Sequence, residues 1–275
     1  MITLFWRLLV YLPLTAPPKS HLNASPVVEL RQYTLKPGKR DTLIGIFDTH
    51  LVEGQENAGM TIIGQFRDLD RPDMFVWMRG FDGMEARRNA LTAFYDGPVW
   101  AAYSNAANET MIDSDNVLQL KPAWPGAGFD LSGSQRAVLP PSGHEDVGQE
   151  KTSTDNRLRG LVVLTIHHLP PGTETEFAEN FQIGAVPVLT ALGARVRAAF
   201  ITEHAENSFP RLPVRLGESV FVSVTGFDSA EAHARHEAAL AASPAWQAFQ
   251  QAAQSGIAEP TETLRLSATS QSLLR

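Results

Sequence analysis

The chain of 275 residues contains no cysteine, which excludes disulfide frameworks, thiolate nucleophiles and thiolate metal sites. Basic side chains are outnumbered 23 to 30, so no basic surface is available to track a phosphate backbone, and nucleic acid is not an expected partner. No membrane span is expected either: the apolar run from Leu8 to Leu14 is far short of the roughly 20 residues a bilayer requires, and Pro13 interrupts it. Ala16 is followed by Pro17 and Pro18, a poor exit for a secretory signal. Residues 1–25 read instead as a disordered leader outside the fold, of the kind left by a start site set too far upstream, and the protein reads as cytoplasmic. P-loop, dinucleotide fingerprint and Gly-x-Ser-x-Gly elbow are all missing. No cofactor is expected. Haem needs an axial ligand beside a large apolar cavity, for which only His50 and His167 are candidates.

What is present is a hydrophobic content of 43%, enough for a folded core, in a chain long enough for two domains or one large one. An internal repeat organises it. The stretch from Val28 to Gly38, VELRQYTLKPG, recurs from Val162 to Gly172 as VVLTIHHLPPG. The same spacing pairs Phe47 with Phe181, Gly59 with Gly193 and Phe66 with Phe200. After Phe200 the spacing grows by 12 residues and is constant again: Phe75 matches Phe221, Phe81 matches Phe227, and Trp100 matches Trp246. One constant offset, one insertion and a second constant offset mark a duplicated module. The copies are assigned to 26–121 and 157–270, joined by a Pro/Gly/Ser-rich linker over 122–156.

Each copy reads as strand, helix, strand, strand, helix, strand. Residues 27–35 alternate on a two-residue period and stop at Lys36-Pro37-Gly38. Leu43, Ile46, Phe47 and Leu51 recur at helical spacing over 40–53. Strands at 61–67 and 74–81 flank a turn-rich stretch, a helix covers 83–94, Pro98 opens another to about 108, and 117–120 closes the copy. The βαββαβ order is the ferredoxin-like arrangement, whose sheet carries helices on one face and must cover the other. The fold class expected is therefore α+β: two ferredoxin-like βαββαβ repeats forming an intramolecular pseudo-dimeric α+β barrel. Exposed sheet edges leave further association into a homo-oligomer open.

The run Glu29 to Gly38, then Trp77 with Phe81 and Arg87, then Asp96 through Pro98 to Trp100, resembles the NIPSNAP family. The resemblance covers nearly all of copy one and, in degraded form, copy two. It implies a dimeric α+β barrel and little chemistry: bacterial members are mostly uncharacterised, and animal members are associated with mitochondria and vesicle traffic. The wider barrel superfamily includes cofactor-free monooxygenases and haem-degrading enzymes, and function does not follow from that fold alone.

Alternation splits each strand into two faces. On one lie the bland sets Val28, Leu30 and Val76, Met78, Gly80; on the other lie Glu29, Arg31, Tyr33, Leu35 and Phe75, Trp77, Arg79, Phe81. The bland sets are assigned to the helices and the mixed sets to the barrel interior, where Arg31, Tyr33, Trp77 and Arg79 line one cavity. Two guanidinium groups beside aromatic faces favour a planar, anionic or carbonyl-bearing ligand. The plainer alternative is that Arg31 pairs with Glu29 and the aromatics simply fill space. In copy two these four positions become Thr165, His167, Ser223 and Thr225, which reads either as a scaffold or as a cavity enlarged by small side chains. His167 is the acid/base candidate of that half, and His50, near the end of its helix, is a further ligand candidate. His233 and His236 are three residues apart rather than four, with no third ligand evident, so no metal is expected.

Three readings follow: a protein binding a small anionic or aromatic organic molecule in the barrel cavity of repeat one; a cofactor-independent monooxygenase-type enzyme using Tyr33, His50 or His167 as base; or a non-catalytic interaction scaffold with a solid barrel.

Overall fold

The computed structural model describes residues 24–137 and 160–275. Most of the leader assigned to 1–25 and the larger part of the linker assigned to 122–156 lie outside the described residues.

The first repeat runs β1 (Val27–Leu35), α1 (Arg40–Ile46), α2 (Val52–Asn57), β2 (Thr61–Asp68), β3 (Met74–Phe81), α3 (Met84–Tyr95), α4 (Pro98–Asn108) and β4 (Met111–Pro122). The second runs β5 (Leu161–His168), α5 (Glu174–Asn180), α6 (Val186–Ala191), β6 (Arg195–Thr202), β7 (Val220–Phe227), α7 (Ala230–Ala241), α8 (Pro244–Gln254) and β8 (Glu262–Ala268). The two repeats match in their irregularities as well as in their elements. A π-turn joins α1 to α2 at Phe47–Leu51, and another joins α5 to α6 at Phe181–Ala185. The ladder shifts register between Ile62 and Gly64 in one copy and between Val196 and Ala198 in the other. Gly59 and Gly193 end the matching helices at φ 101° and 98°, where a side chain is strained.

The eight strands close into one barrel in the order β1-β3-β2-β8-β5-β7-β6-β4. Each repeat contributes four antiparallel strands, and two seams join them, Phe66 facing Ala268 and Leu120 facing Thr202. The intramolecular pseudo-dimeric barrel expected from the repeat is the observed fold.

The assignment of strand faces is overturned. Val28, Leu30, Val76 and Met78 point into the lumen with Val162, Leu164, Val222, Val224, Leu264 and Leu266, all within 3% of full burial. Glu29, Arg31, Tyr33, Trp77 and Arg79 point outward, into the layer between the sheet and α1–α4. An eight-stranded barrel is just wide enough for side chains to fill it, so its lumen takes the aliphatic set. Guanidinium groups there would meet no carboxylate and no water. The described part of the linker also departs from the expected loose segment: Phe129 and Leu131 pack into the lumen cluster, and Arg136 donates to the Ile62 carbonyl at 2.7 Å.

Candidate functional site

In the first repeat, β1 and β3 pair with Glu29 opposite Arg79 and Arg31 opposite Trp77. Alternation therefore sets the carboxylate, both guanidinium groups and the indole on one face, and α3 adds Arg87 from above. Glu29 sits at the centre. Arg31 Nη1 donates to its Oε2 at 2.7 Å, Arg79 Nε to the same oxygen at 2.8 Å, and Arg87 Nε to Oε1 at 2.7 Å. Arg31 Nε donates to the Tyr33 hydroxyl at 2.9 Å, and Arg79 Nη1 to Gln55 Oε1 at 3.2 Å. All three arginines and Glu29 are within 1% of complete burial. Burial pushes the Glu29 carboxyl up, but Arg79, Arg31 and Arg87 reverse this and hold it well below its ordinary 4.5. Both arginines of the strands lie against the Trp77 ring, at 5.5 and 5.0 Å from its centroid.

The spacing thus brings Arg31, Tyr33, Trp77 and Arg79 together as a packed ionic network, with the Arg31–Glu29 pair of the plainer alternative. His50 is not part of it; its ring stacks on Tyr103 of α4 at 3.9 Å and 8°.

A large cavity lies in the second repeat. There the counterparts of Glu29, Arg31, Trp77, Arg79 and Arg87 are Val163, Thr165, Ser223, Thr225 and His233. All five line a space of about 750 Å³ between the sheet and α5–α8. Replacing an ionic network and an indole with small side chains, while retaining Phe181, Phe227 and Trp246, leaves this volume unfilled. Its floor is a row of hydroxyls across three strands, because Thr165 faces Ser223 on β7 and Thr263 on β8. Its roof is α8, none of whose residues is buried, with Trp246 and Phe249 stacked at 5.4 Å. Trp246, the counterpart of Trp100, lines the cavity.

His167 lines it too, with Nδ1 3.1 Å from Thr261 Oγ1. Burial, with His168 beside it, pushes the imidazole down to about 4, so it is neutral across the physiological range. Burial also lowers His233, against the opposing pull of Glu237. His236 Nδ1 meets the Leu192 carbonyl at 2.9 Å. Among the described residues no cluster of three metal-ligating side chains occurs.

The two sites differ in cover as well. The 12-residue insertion in the second repeat lies within the β6–β7 connection, residues 203–219. That connection crosses β4 and closes the first repeat's helix–sheet layer like a strap. Gln119 Nε2 donates to the Ala205 carbonyl at 2.9 Å, Phe209 packs into the cluster containing Trp77, and Arg215 N donates to the Val117 carbonyl at 2.9 Å. Its pseudo-symmetric counterpart, 69–73, is short. It is held to β8 by Leu69 N on the Arg265 carbonyl at 2.9 Å and by the Arg265–Asp70 pair.

Sequence reasoning did not see Arg87 as a member of the charged set. Its match to His233 at the second constant offset, 146 residues, was the available signal.

A four-stranded sheet with helices on its outer face, closed against its own repeat, with a ligand-sized space beneath the helices, defines a dimeric α+β barrel made within one chain. The NIPSNAP family model matches residues 28–124, the span of the first repeat. The match covers the copy that keeps the Glu29, Arg31, Trp77, Arg79 and Arg87 set. Among curated proteins, none matches the chain in sequence. Solved structures share the whole fold. An anthrone oxidase-like protein superposes with a TM-score of 0.55 at 15% identity, over 90% of this chain and 93% of its own. A protein from Lactobacillus acidophilus, described as a candidate monooxygenase, gives 0.51 at 11% identity over 89% and 94%. An uncharacterised NIPSNAP domain protein from Burkholderia xenovorans is 23% identical, with a TM-score of 0.31, over 38% of this chain and 91% of its own. Among the described residues no helix is long and apolar enough to cross a membrane.

Proposed function

We propose that the protein binds a small, uncharged, hydroxyl- or carbonyl-bearing aromatic molecule in the second-repeat cavity. The observation that carries this reading is the cavity of about 750 Å³ itself, lined by Thr165, Ser223, Thr225 and neutral His167 opposite Trp246 and Phe249. Ligand sites of this size are mainly apolar and aromatic, with a few polar groups that fix orientation. Its one carboxylate, Glu237, is 61% exposed and sits at the rim beside His233. An anionic ligand therefore finds no cation to pair with here, and an uncharged one loses nothing. The test is calorimetric titration with hydroxylated naphthalenes and anthrones. Micromolar binding that is lost in Ser223→Trp and kept in Arg31→Ala supports the reading. Binding lost only in the Arg31 variant overturns it.

A second reading is favoured by His167: oxidation of an anthrone-type substrate by dioxygen. His167 takes a proton from the ring methylene, the resulting carbanion reacts with O₂, and the methylene becomes a carbonyl with release of water. An imidazole of lowered basicity is a better hydrogen-bond acceptor than proton abstractor, so binding stands ahead of catalysis. Oxygen consumption with anthrone, abolished in His167→Ala while binding persists, distinguishes the two.

A further inference from the structure

The first repeat holds more positive charge than it neutralises. Arg31, Arg79 and Arg87 surround one carboxylate, and no second acid pairs with any of them among the described residues. Guanidinium does not give up its proton in proteins, and each uncompensated buried ion costs several kcal/mol. The faces of Tyr33, Trp77 and Phe81, at 5.0 to 5.6 Å from the guanidinium carbons of Arg31 and Arg79, offset only part of this.

The hydrogen-bond inventory has the same imbalance. Three polar atoms of the cluster are buried without a hydrogen-bond partner: Trp77 Nε1, Arg79 Nη2 and Arg87 Nη2. All three are donors. Arg79 Nη2 lies 2.8 Å from Glu29 Oε2, but out of line for a hydrogen bond. Two amide acceptors on this face, Gln65 Oε1 opposite Trp77 and Gln119 Oε1 opposite Glu29, are also without a partner, but they are neutral and leave the surplus charge in place; the other acceptors at hand are engaged. Both Glu29 oxygens receive guanidinium donors, Gln55 Oε1 receives Arg79, and Asn207 Oδ1 and Ser208 Oγ receive Arg87 Nη1 at 2.9 and 3.1 Å. Surplus donors beside surplus positive charge call for an acceptor that carries negative charge.

We propose that the first repeat is a second binding site, taking one compact monoanion, a halide or a small carboxylate, against Arg79, Arg87 and the indole of Trp77. The strap 203–219 is its removable wall, since Asn207 and Ser208 reach Arg87 from the other repeat. The site is thus completed by the second repeat, and it selects an anion where the cavity selects an uncharged ligand. It does not rest on the cavity reading.

The test is thermal unfolding of the full chain in sodium chloride, formate, acetate or sulfate, each balanced to constant ionic strength with gluconate. A bound anion raises the midpoint steeply at low concentration and then linearly in log concentration above its Kd, whereas general salt effects grow in proportion to concentration and act equally on variants. Wild type shows the logarithmic rise and Arg87→Gln lacks it. Response to chloride alone identifies a halide site; response to formate and acetate identifies a carboxylate site. A curve identical in wild type and Arg87→Gln overturns the proposal, as does a rise with sulfate only. If Arg87→Gln does not fold, the Asn207→Ala, Ser208→Ala double variant decides. It keeps all three guanidinium groups and frees Arg87 Nη1, so half-saturation falls at least threefold; an unchanged curve overturns the proposal.

Discussion

Thr165 stands where Arg31 stands in the other repeat, and the two residues have opposite surroundings. Arg31 is 1% exposed and bound to Glu29 at 2.7 Å, while Thr165 borders a cavity of about 750 Å³. The backbone around them is the same, down to the π-turn and the ladder shift. The difference is made by side-chain volume and charge, together with the longer strap that covers the first repeat.

Restoring bulk should therefore close the cavity. Ser223→Trp returns the residue that occupies the matching place, Trp77, and is expected to weaken ligand binding at least tenfold. Stability should hold or rise by about 0.5–2 kcal/mol, as for other cavity-filling changes. Undiminished binding in calorimetry sinks the assignment of the site.

Removing the carboxylate at the centre of the arginine cluster should be costly. Glu29→Gln leaves three guanidinium groups without a counter-charge, and about 3–5 kcal/mol is expected from urea denaturation. The pH dependence has a definite sign. Because the folded protein holds this carboxyl below 4.5, its contribution is complete above that pH and is lost progressively as the solution is acidified. The glutamine variant should lack that component; an equal acid loss in both proteins rejects it.

His167 behaves alike for a different reason. Its imidazole titrates near 4 when folded and near 6.5 when unfolded, so stability falls as pH drops from about 6.5 towards 4. Ring-proton NMR of the folded protein should give a midpoint near 4. Ligand affinity should be flat above pH 5 and decline below it. A midpoint above 6 contradicts the neutral role.

The strap contributes packing as well as polar contacts. Phe209 is 7% exposed and lies 5.9 Å from the Tyr95 ring. Phe209→Ala should cost about 3 kcal/mol and speed amide exchange across 203–219. His50→Ala is the control: it removes one ring stack worth about 0.5–1.5 kcal/mol and should leave ligand affinity unchanged.

Much of this architecture was legible in the sequence. The constant offsets exposed the duplication, Lys36-Pro37-Gly38 and Pro98 located element ends, and the ferredoxin-like order required a covered sheet face. Residue 111 rather than 117 begins β4, because Met111 and its neighbours pair with the end of β1 beyond the apolar stretch. The faces were read backwards for a physical reason. Both sides of β1 and β3 are buried here, so alternation tells which residues share a layer without telling which layer is the lumen. Charge suggested an opening, yet Glu29 two residues before Arg31 supplied a partner on the same face. The cavity was signalled by what copy two lacks: Thr165, Ser223 and Thr225 are too small to fill the space that Arg31, Trp77 and Arg79 occupy.

The two seams, at Phe66 with Ala268 and Leu120 with Thr202, have a genetic consequence. In a barrel assembled from two identical subunits, every mutation arrives twice, and a change that empties one site empties both. Here the halves are encoded separately. One carries the arginines and the other does not, and neither half needed the consent of its twin to differ.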